Sequence, residues 1–286
     1  LQASRPRTLP AGAAPVFVGT ALAGYDGHFH LLRFLAALIS ALCIQVGTNL
    51  ANDYSDARRG ADTEDRLGPV RVTAGGLVPP RQVLIGTYVV FGVALLFGLY
   101  LVVVSGWQLL VIGLASIAAG VLYTGGPRPY GYEGLGEIFV FLFFGVVAVA
   151  GSFFVQTGTV DWEAFALAVP VGQLASAILV VNNVRDIDTD RRAGKRTLAV
   201  RLGRQRTRQM YAAMLALAYL TVAVVTAVHF TAWLLLPLLT LPLAARLRAT
   251  VAAHADGPTL NGVLAGTGQL QLLFCVLLSA GLLLSQ

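Results

Sequence analysis

Residues 82–127 read QVLIGTYVVFGVALLFGLYLVVVSGWQLLVIGLASIAAGVLYTGGP, without a single Asp, Glu, Lys or Arg. A transmembrane helix takes about 20 mainly apolar residues, so this stretch holds two, divided at Ser105-Gly106-Trp107-Gln108. Six further segments are equally free of charge: 8–25, 34–52, 138–160, 164–184, 209–245 and 257–286. The 209–245 run divides in the same way near His229. Nine spans follow, at 9–24, 32–52, 82–104, 108–124, 136–156, 164–183, 210–228, 231–248 and 262–284. The first is short and carries Pro15. The chain is 56% hydrophobic and 12% charged with mean hydropathy +0.73, whereas soluble domains are about a quarter charged. It therefore reads as an all-α, polytopic membrane protein, with residues 1–286 as a single domain. A barrel would need alternating segments of about ten residues, and these runs are too continuous. The first apolar run leads into more membrane, so nothing reads as a cleaved signal. Cys43 and Cys275 fall inside predicted helices, which argues against a disulfide framework.

Lys and Arg gather on the cytoplasmic side of membrane proteins. With nine spans and a cytoplasmic N-terminus, all but Arg33 of the 20 basic residues fall on that side or at its edge. The C-terminus is then outside. The net charge of +6 reflects this topology plus an anionic ligand, and no nucleic-acid partner is expected. Membrane lipids surround the chain, and its oligomeric state is left open.

Two acidic clusters, NLANDYSDARRGAD at 49–62 and NNVRDIDTD at 182–190, each follow a span directly. Four crossings separate them, so both lie on the cytoplasmic side. Asn52 and Asp56 are four apart, as are Asn49 and Asp53, and each pair shares a helix face. Asn182, Asp186 and Asp190 repeat the spacing twice, while Asp188 points elsewhere if the helix continues. Carboxylates crowded at a membrane border are repulsive unless a cation neutralises them. Mg²⁺ takes oxygen ligands and is normally shared between one or two carboxylates and a substrate's phosphates. The two halves, each a helix, an Asn/Asp motif and a basic loop, also suggest a duplicated architecture.

The strings NDYSDARRGADTEDRLGP (52–69) and NNVRDIDTDRRAGKRTLAVRLG (182–203) resemble the paired aspartate-rich motifs of the intramembrane aromatic prenyltransferases. RPRTLP (5–10), RVTAGGLV (71–78) and YTGGPRPYGYEGLGE (123–137) are similar to the 1,4-dihydroxy-2-naphthoate polyprenyltransferases of menaquinone synthesis. The resemblance implies nine helices around a central cavity, capped by cytoplasmic loops, with Mg²⁺ holding a polyprenyl diphosphate. It implies metal ligation by Asn52, Asp56, Asp186 and Asp190. The superfamily pattern places a further acid at position 60; here that residue is Gly60 and the acid comes at Asp62, which leaves Asp53 and Asp62 as alternatives. The implied reaction joins the prenyl C1 to the carboxyl-bearing carbon of dihydroxynaphthoate, releases CO₂ and diphosphate, and gives demethylmenaquinone. The isoprenoid tail is expected to leave the site through a lateral groove open to the bilayer.

Several residues join this expected site. Lys195 and Arg196 follow the second cluster and would close over the diphosphate, or would anchor to anionic lipid at about 1 kcal/mol each. Arg128, the only base between spans 4 and 5, reads as a diphosphate or carboxylate contact or as a topology signal; Arg71 in RVTAGG has the same two readings. Tyr123 would orient the ring or shield a cation, and Glu137 would bind a basic partner or poise a substrate hydroxyl. Asn49 would organise Asp53 by hydrogen bonding. With Asn52, Asp53 and Asn182 these complete the expected substrate-binding set. His28, His30, His229 and His254 are scattered, so no zinc site is expected. Rival functions are a sister prenyltransferase for 4-hydroxybenzoate, homogentisate, haem or chlorophyllide, and a cation-coupled transporter. A transporter site would sit near mid-membrane at broken helices, not at the border. The DGxxAR…GxxxD pattern of CDP-alcohol phosphotransferases is missing.

Overall fold

Each charge-free run becomes helix. The computed structural model describes residues 2–60, 67, 68, 71–229 and 231–286. Its principal helices are α1 (Leu9–Tyr25), α2 (Leu31–Arg58), α3 (Pro80–Ser105), α4 (Gln108–Leu122), α5 (Gly136–Thr157), α6 (Trp162–Arg192), α7 (Leu198–His229), α8 (Ala232–Ala253) and α9 (Gly257–Leu284). Seven are long and apolar enough to cross a membrane. The other two, α1 with 17 residues and α4 with 15, reach about 25 and 22 Å at 1.5 Å per residue. They fall somewhat short of a hydrocarbon core about 30 Å thick. The nine expected spans are thus seven full-length helices and two shorter apolar ones.

Local chemistry sets the helix ends. Pro79 and Pro80 open α3, where proline's missing N–H costs nothing. Asp256 caps α9 by accepting the Thr259 N–H at 2.9 Å. The two helices that carry the acidic clusters both stop at a left-handed glycine: Gly60 (φ 63°) after α2 and Gly194 (φ 72°) after α6. A left-handed residue just past the helix is a common stop. Position 60 is therefore a helix terminator in this chain, which gives a physical reason for the acid's displacement to Asp62. Gly203 (φ 76°, ψ 164°) splits α7 into a short first piece, residues 198–202, and the span proper.

The helices pack unevenly. The main apolar core joins α1 with α5–α9, and α6 runs through it with 72% of its most apolar window buried, against 22% for α2 and for α3. A π-helical turn, Phe141–Val147, interrupts α5 where it meets α6. There a Cβ on Gly145 would fall 2.7 Å from the Gly172 Cα, so only glycine allows this close approach. α4 packs mainly against α2 and α3.

Both acidic clusters lie at one end of the bundle, together with the N-terminal segment and the connections after α2, α4 and α6. Gln286 donates to the Gly24 carbonyl at the opposite end. Arg33, the one Lys or Arg at that end among the described residues, donates to the Val155 and Gln156 carbonyls at 3.3 and 3.2 Å. These are carbonyls of the last turn of α5, which attract a cation, so the exception to the charge pattern has a local cause.

Candidate active site

The thin-walled half of the bundle encloses a cavity of about 400 Å³, walled mainly by α1–α6. Its head holds Asp56, Asp186 and Asp190 with Arg5, Arg71 and Lys195. Its shaft is apolar and descends to Leu101, Leu109 and Val155, near the far ends of α3, α4 and α5. Ser105 donates to the Val155 carbonyl at 2.8 Å below the shaft. Leu110 and Leu114 of α4 belong to the wall and remain accessible.

At the head, the α2 motif divides its labour by helix face. Asp56 is buried, accepting from Arg71 at 2.7 Å on Oδ2 and from the Tyr132 hydroxyl at 2.5 Å on Oδ1. Asn52 lines the same wall and accepts from the Thr124 hydroxyl at 2.9 Å. Asp53, one residue round, turns away from the cavity. Its carboxylate accepts the Val72 and Thr73 N–H groups at 3.2 and 2.9 Å and so moors the loop that delivers Arg71. Asn49, one turn deeper, donates to the Ser4 carbonyl at 3.0 Å and the Thr8 hydroxyl at 3.2 Å. It moors the N-terminal segment, whose Arg5 joins the cavity wall at φ 49°. That is the only left-handed residue other than glycine among those described.

The α6 motif keeps the spacing of four. Asn182, Asp186 and Asp190 all line the cavity. Arg185 is buried and fans out over several partners. Its Nε and Nη2 donate to Asp186 at 2.7 and 2.5 Å, its Nη2 to Asn182 at 2.8 Å, and its Nη1 to Asn261 of α9 at 2.6 Å. Lys195 reaches Asp190 at 3.5 Å. Asp188 is exposed, points off this face and pairs with Arg204 at 2.7 Å, as its helical direction predicted. Each cavity aspartate thus has a basic partner from its own neighbourhood.

The turn between α4 and α5 supplies the aromatic side of the head. Tyr123, Tyr130, Phe139 and Phe143 line the cavity in succession, with centroids 5.4, 4.0 and 6.2 Å apart. Gly131 lets the turn close over Tyr123, since a Cβ there would lie 2.7 Å from the Tyr123 carbonyl. Burial pushes the Tyr130 phenol above its usual pKa, so it stays protonated and donates to the Ala119 carbonyl at 2.8 Å. Glu137 is buried behind the wall and accepts from Asn183 at 2.9 Å. Asn183, unlike Glu137, lines the cavity.

Of the residues expected from sequence, Asn49, Asn52, Asp56, Arg71, Tyr123, Asn182, Asp186, Asp190 and Lys195 share the cavity wall. Asp53 and Glu137 stand one layer behind it. Arg128 and Arg196 are exposed and outside it. Asp62 lies outside the described residues. Sequence reasoning passed over Arg5, Tyr132, Asn183 and Arg185. Arg185 offered a visible signal as the one base inside NNVRDIDTD, and Tyr132 as a third tyrosine in YTGGPRPYGYEGLGE.

The donors at the head are amide and carboxylate oxygens, the set a hard cation prefers. No three Asp, Glu, His or Cys side chains cluster tightly enough to cage an ion among the described residues. The head therefore fits Mg²⁺ that completes its shell with phosphate oxygens, and does not fit a closed structural site.

Residues 13–259 match the UbiA prenyltransferase family. A 1,4-dihydroxy-2-naphthoate octaprenyltransferase of Mycobacterium tuberculosis is 43% identical over 99% of this chain and 96% of its own length. Its Escherichia coli namesake is 40% identical over 100% and 95%. Among solved structures, a UbiA homolog from Archaeoglobus fulgidus bound to DMAPP and Mg²⁺ superposes with TM-score 0.71 at 16% identity, covering 100% of this chain and 99% of that one. The apo UbiA homolog from Aeropyrum pernix gives 0.73 at 17% identity, covering 97% of each chain.

Proposed function

The chain belongs to the UbiA prenyltransferase family, and on that footing we propose that it transfers a polyprenyl group from polyprenyl diphosphate to 1,4-dihydroxy-2-naphthoate. The observation that carries the reading is one continuous cavity with three aspartates at its head and an apolar shaft below. The head suits a diphosphate and the shaft suits an isoprenoid. In this reading Asn52, Asp56, Asn182, Asp186 and Asp190 hold Mg²⁺, while Arg71 and Lys195 face the diphosphate. When bound, Mg²⁺ would offset the negative charge that builds on the departing diphosphate.

The chain's own residues do the rest. Arg71 and Lys195 sit where that charge develops, preset by Asp56 and Asp190, so little reorganisation accompanies bond breaking. The C1–O bond breaks with its electron pair going to diphosphate, and Tyr123 and Tyr130 present aromatic faces to the allylic carbon. The ring carbon bearing the carboxylate then bonds to C1. Loss of CO₂ returns the electrons of the carbon–carboxylate bond to the ring, which regains aromaticity as the quinol form of demethylmenaquinone. No base need remove a proton from that carbon. Glu137 acts through Asn183, which it holds toward the cavity.

A direct assay tests the acceptor. Purified protein with Mg²⁺ and a polyprenyl diphosphate is expected to prenylate dihydroxynaphthoate and release CO₂. Product from 4-hydroxybenzoate alone would overturn the choice of acceptor.

The tail is proposed to run down the shaft and leave along a seam beside α4, whose Leu110 and Leu114 line the cavity and are accessible. Gly113 lines the shaft with open space around it, so Gly113→Phe is expected to fold and to narrow the route. It should cost long donors about tenfold or more in kcat/KM, since the displaced tail forgoes apolar burial worth about 25 cal/mol per Å², and spare a C10 donor. Equal losses for both donors would remove this route.

We also place the aspartate end of this single membrane domain in the cytoplasm, from the distribution of Lys and Arg. Single cysteines put at exposed positions in the 72–78 and 191–196 segments should then be labelled only from the cytoplasmic side. Labelling of the two on opposite faces would contradict the shared site.

A further inference from the structure

The first cluster rides on α2 and the second on α6, yet the turn between α4 and α5 touches both. We propose that Tyr132 is a positioning residue that locks the two aspartate motifs into one register; this rests on the functional reading above. Its hydroxyl donates to Asp56 Oδ1 at 2.5 Å. Its ring face lies under Lys195, with Nζ 4.8 Å from the centroid, and Lys195 in turn pairs with Asp190 at 3.5 Å. Its carbonyl accepts the Arg196 N–H at 2.8 Å. One residue therefore spans the head from the first motif to the second by three different interactions.

The backbone around it is built to hold still. Tyr132 sits in the short turn Tyr130–Glu133, which Gly134 ends at φ 75°. A Cβ on Gly134 would lie 3.1 Å from the Arg196 carbonyl, so this turn and the segment after α6 are in close contact. With Arg71 on Oδ2 and Tyr132 on Oδ1, the Asp56 carboxylate cannot rotate without losing a charge-assisted bond. Lys195, a flexible ammonium, is confined between an aromatic face and a carboxylate. The consequence is a preset spacing between the Asp56 and Asp190 sides of the head, the spacing that a metal-bound diphosphate has to match.

Tyr132→Phe separates the two roles, because it removes the hydroxyl and keeps the ring. In nanodiscs, calorimetry of inorganic diphosphate binding in the presence of Mg²⁺ should show about tenfold weaker binding for Tyr132→Phe, as expected for a lost bond to a charged group. Tyr132→Leu should lose about fivefold more, from the missing cation–π interaction. Lys195→Met should weaken binding as much in the Tyr132→Phe background as in the wild type, but by clearly less in the Tyr132→Leu background, where the ammonium is already released. Thermal midpoints check folding; if Tyr132→Leu fails to fold, the Tyr132→Phe comparison still decides. Wild-type binding by Tyr132→Phe, or an equal cost of Lys195→Met in all three backgrounds, would overturn the proposal. A wild-type protein that binds no diphosphate with Mg²⁺ would instead overturn the functional reading beneath it.

Discussion

Asp190→Asn and Asp56→Asn are each expected to lower turnover by about 10²–10³-fold, the cost of removing one group that stabilises charge in a transition state. Asp188→Asn should stay within a few-fold of the wild-type rate. All three are aspartates near a helix end, so composition alone would treat them alike. What separates them is direction: Asp56 and Asp190 line the cavity, whereas Asp188 is exposed and spends its charge on Arg204. Diphosphate release by purified protein in nanodiscs reads the effect. Asp190 gives the cleaner test, because its side chain is the less buried of the two, 13% exposed against 2% for Asp56. Equal losses at all three positions would show that the helix face has been misassigned.

Arg185→Met is expected to cost about 3–5 kcal/mol of stability, the usual penalty for removing one partner of a buried ion pair. The side chain is 2% exposed and satisfies Asp186, Asn182 and Asn261 together. Without it the Asp186 carboxylate is left buried and uncompensated. Adding Asp186→Asn to Arg185→Met removes that stranded charge and should recover part of the thermal midpoint, while activity stays lost. Such a partial recovery is the signature of coupling in a double-mutant cycle. An Arg185→Met protein as stable as the wild type would mean that the network carries no net stabilisation.

Much of this arrangement is legible in the amino-acid sequence, because the bilayer is a strict solvent. A span must be apolar and satisfy its own backbone, so gaps between charges mark both ends of α3 and the starts of α2 and α6, although those two helices run on through the acidic clusters to Arg58 and Arg192. The repeat of four at Asn182, Asp186 and Asp190 predicts their common face for the same geometric reason. Irregular backbone has no such period. Arg128, the lone base of its turn, reads equally as a ligand contact or a topology signal and is exposed, while Tyr132 a few residues on reaches Asp56. Asp53 illustrates the same limit on a helix. Its direction, one residue round from Asn52, was clear, but its partners are the Val72 and Thr73 amides of a loop that only folding brings near.

The exit proposed above, along a seam beside α4, changes the meaning of concentration for this protein. A donor and a product that come and go through that seam never equilibrate with the buffer. They are solutes in a sheet about 30 Å thick, and their activity is an amount per unit of lipid. Extra inert bilayer at constant protein and donor therefore slows the encounter as dilution slows a reaction in a flask, whereas extra water leaves it unchanged. For the isoprenoid, the membrane is the reaction volume, and its area is a kinetic variable.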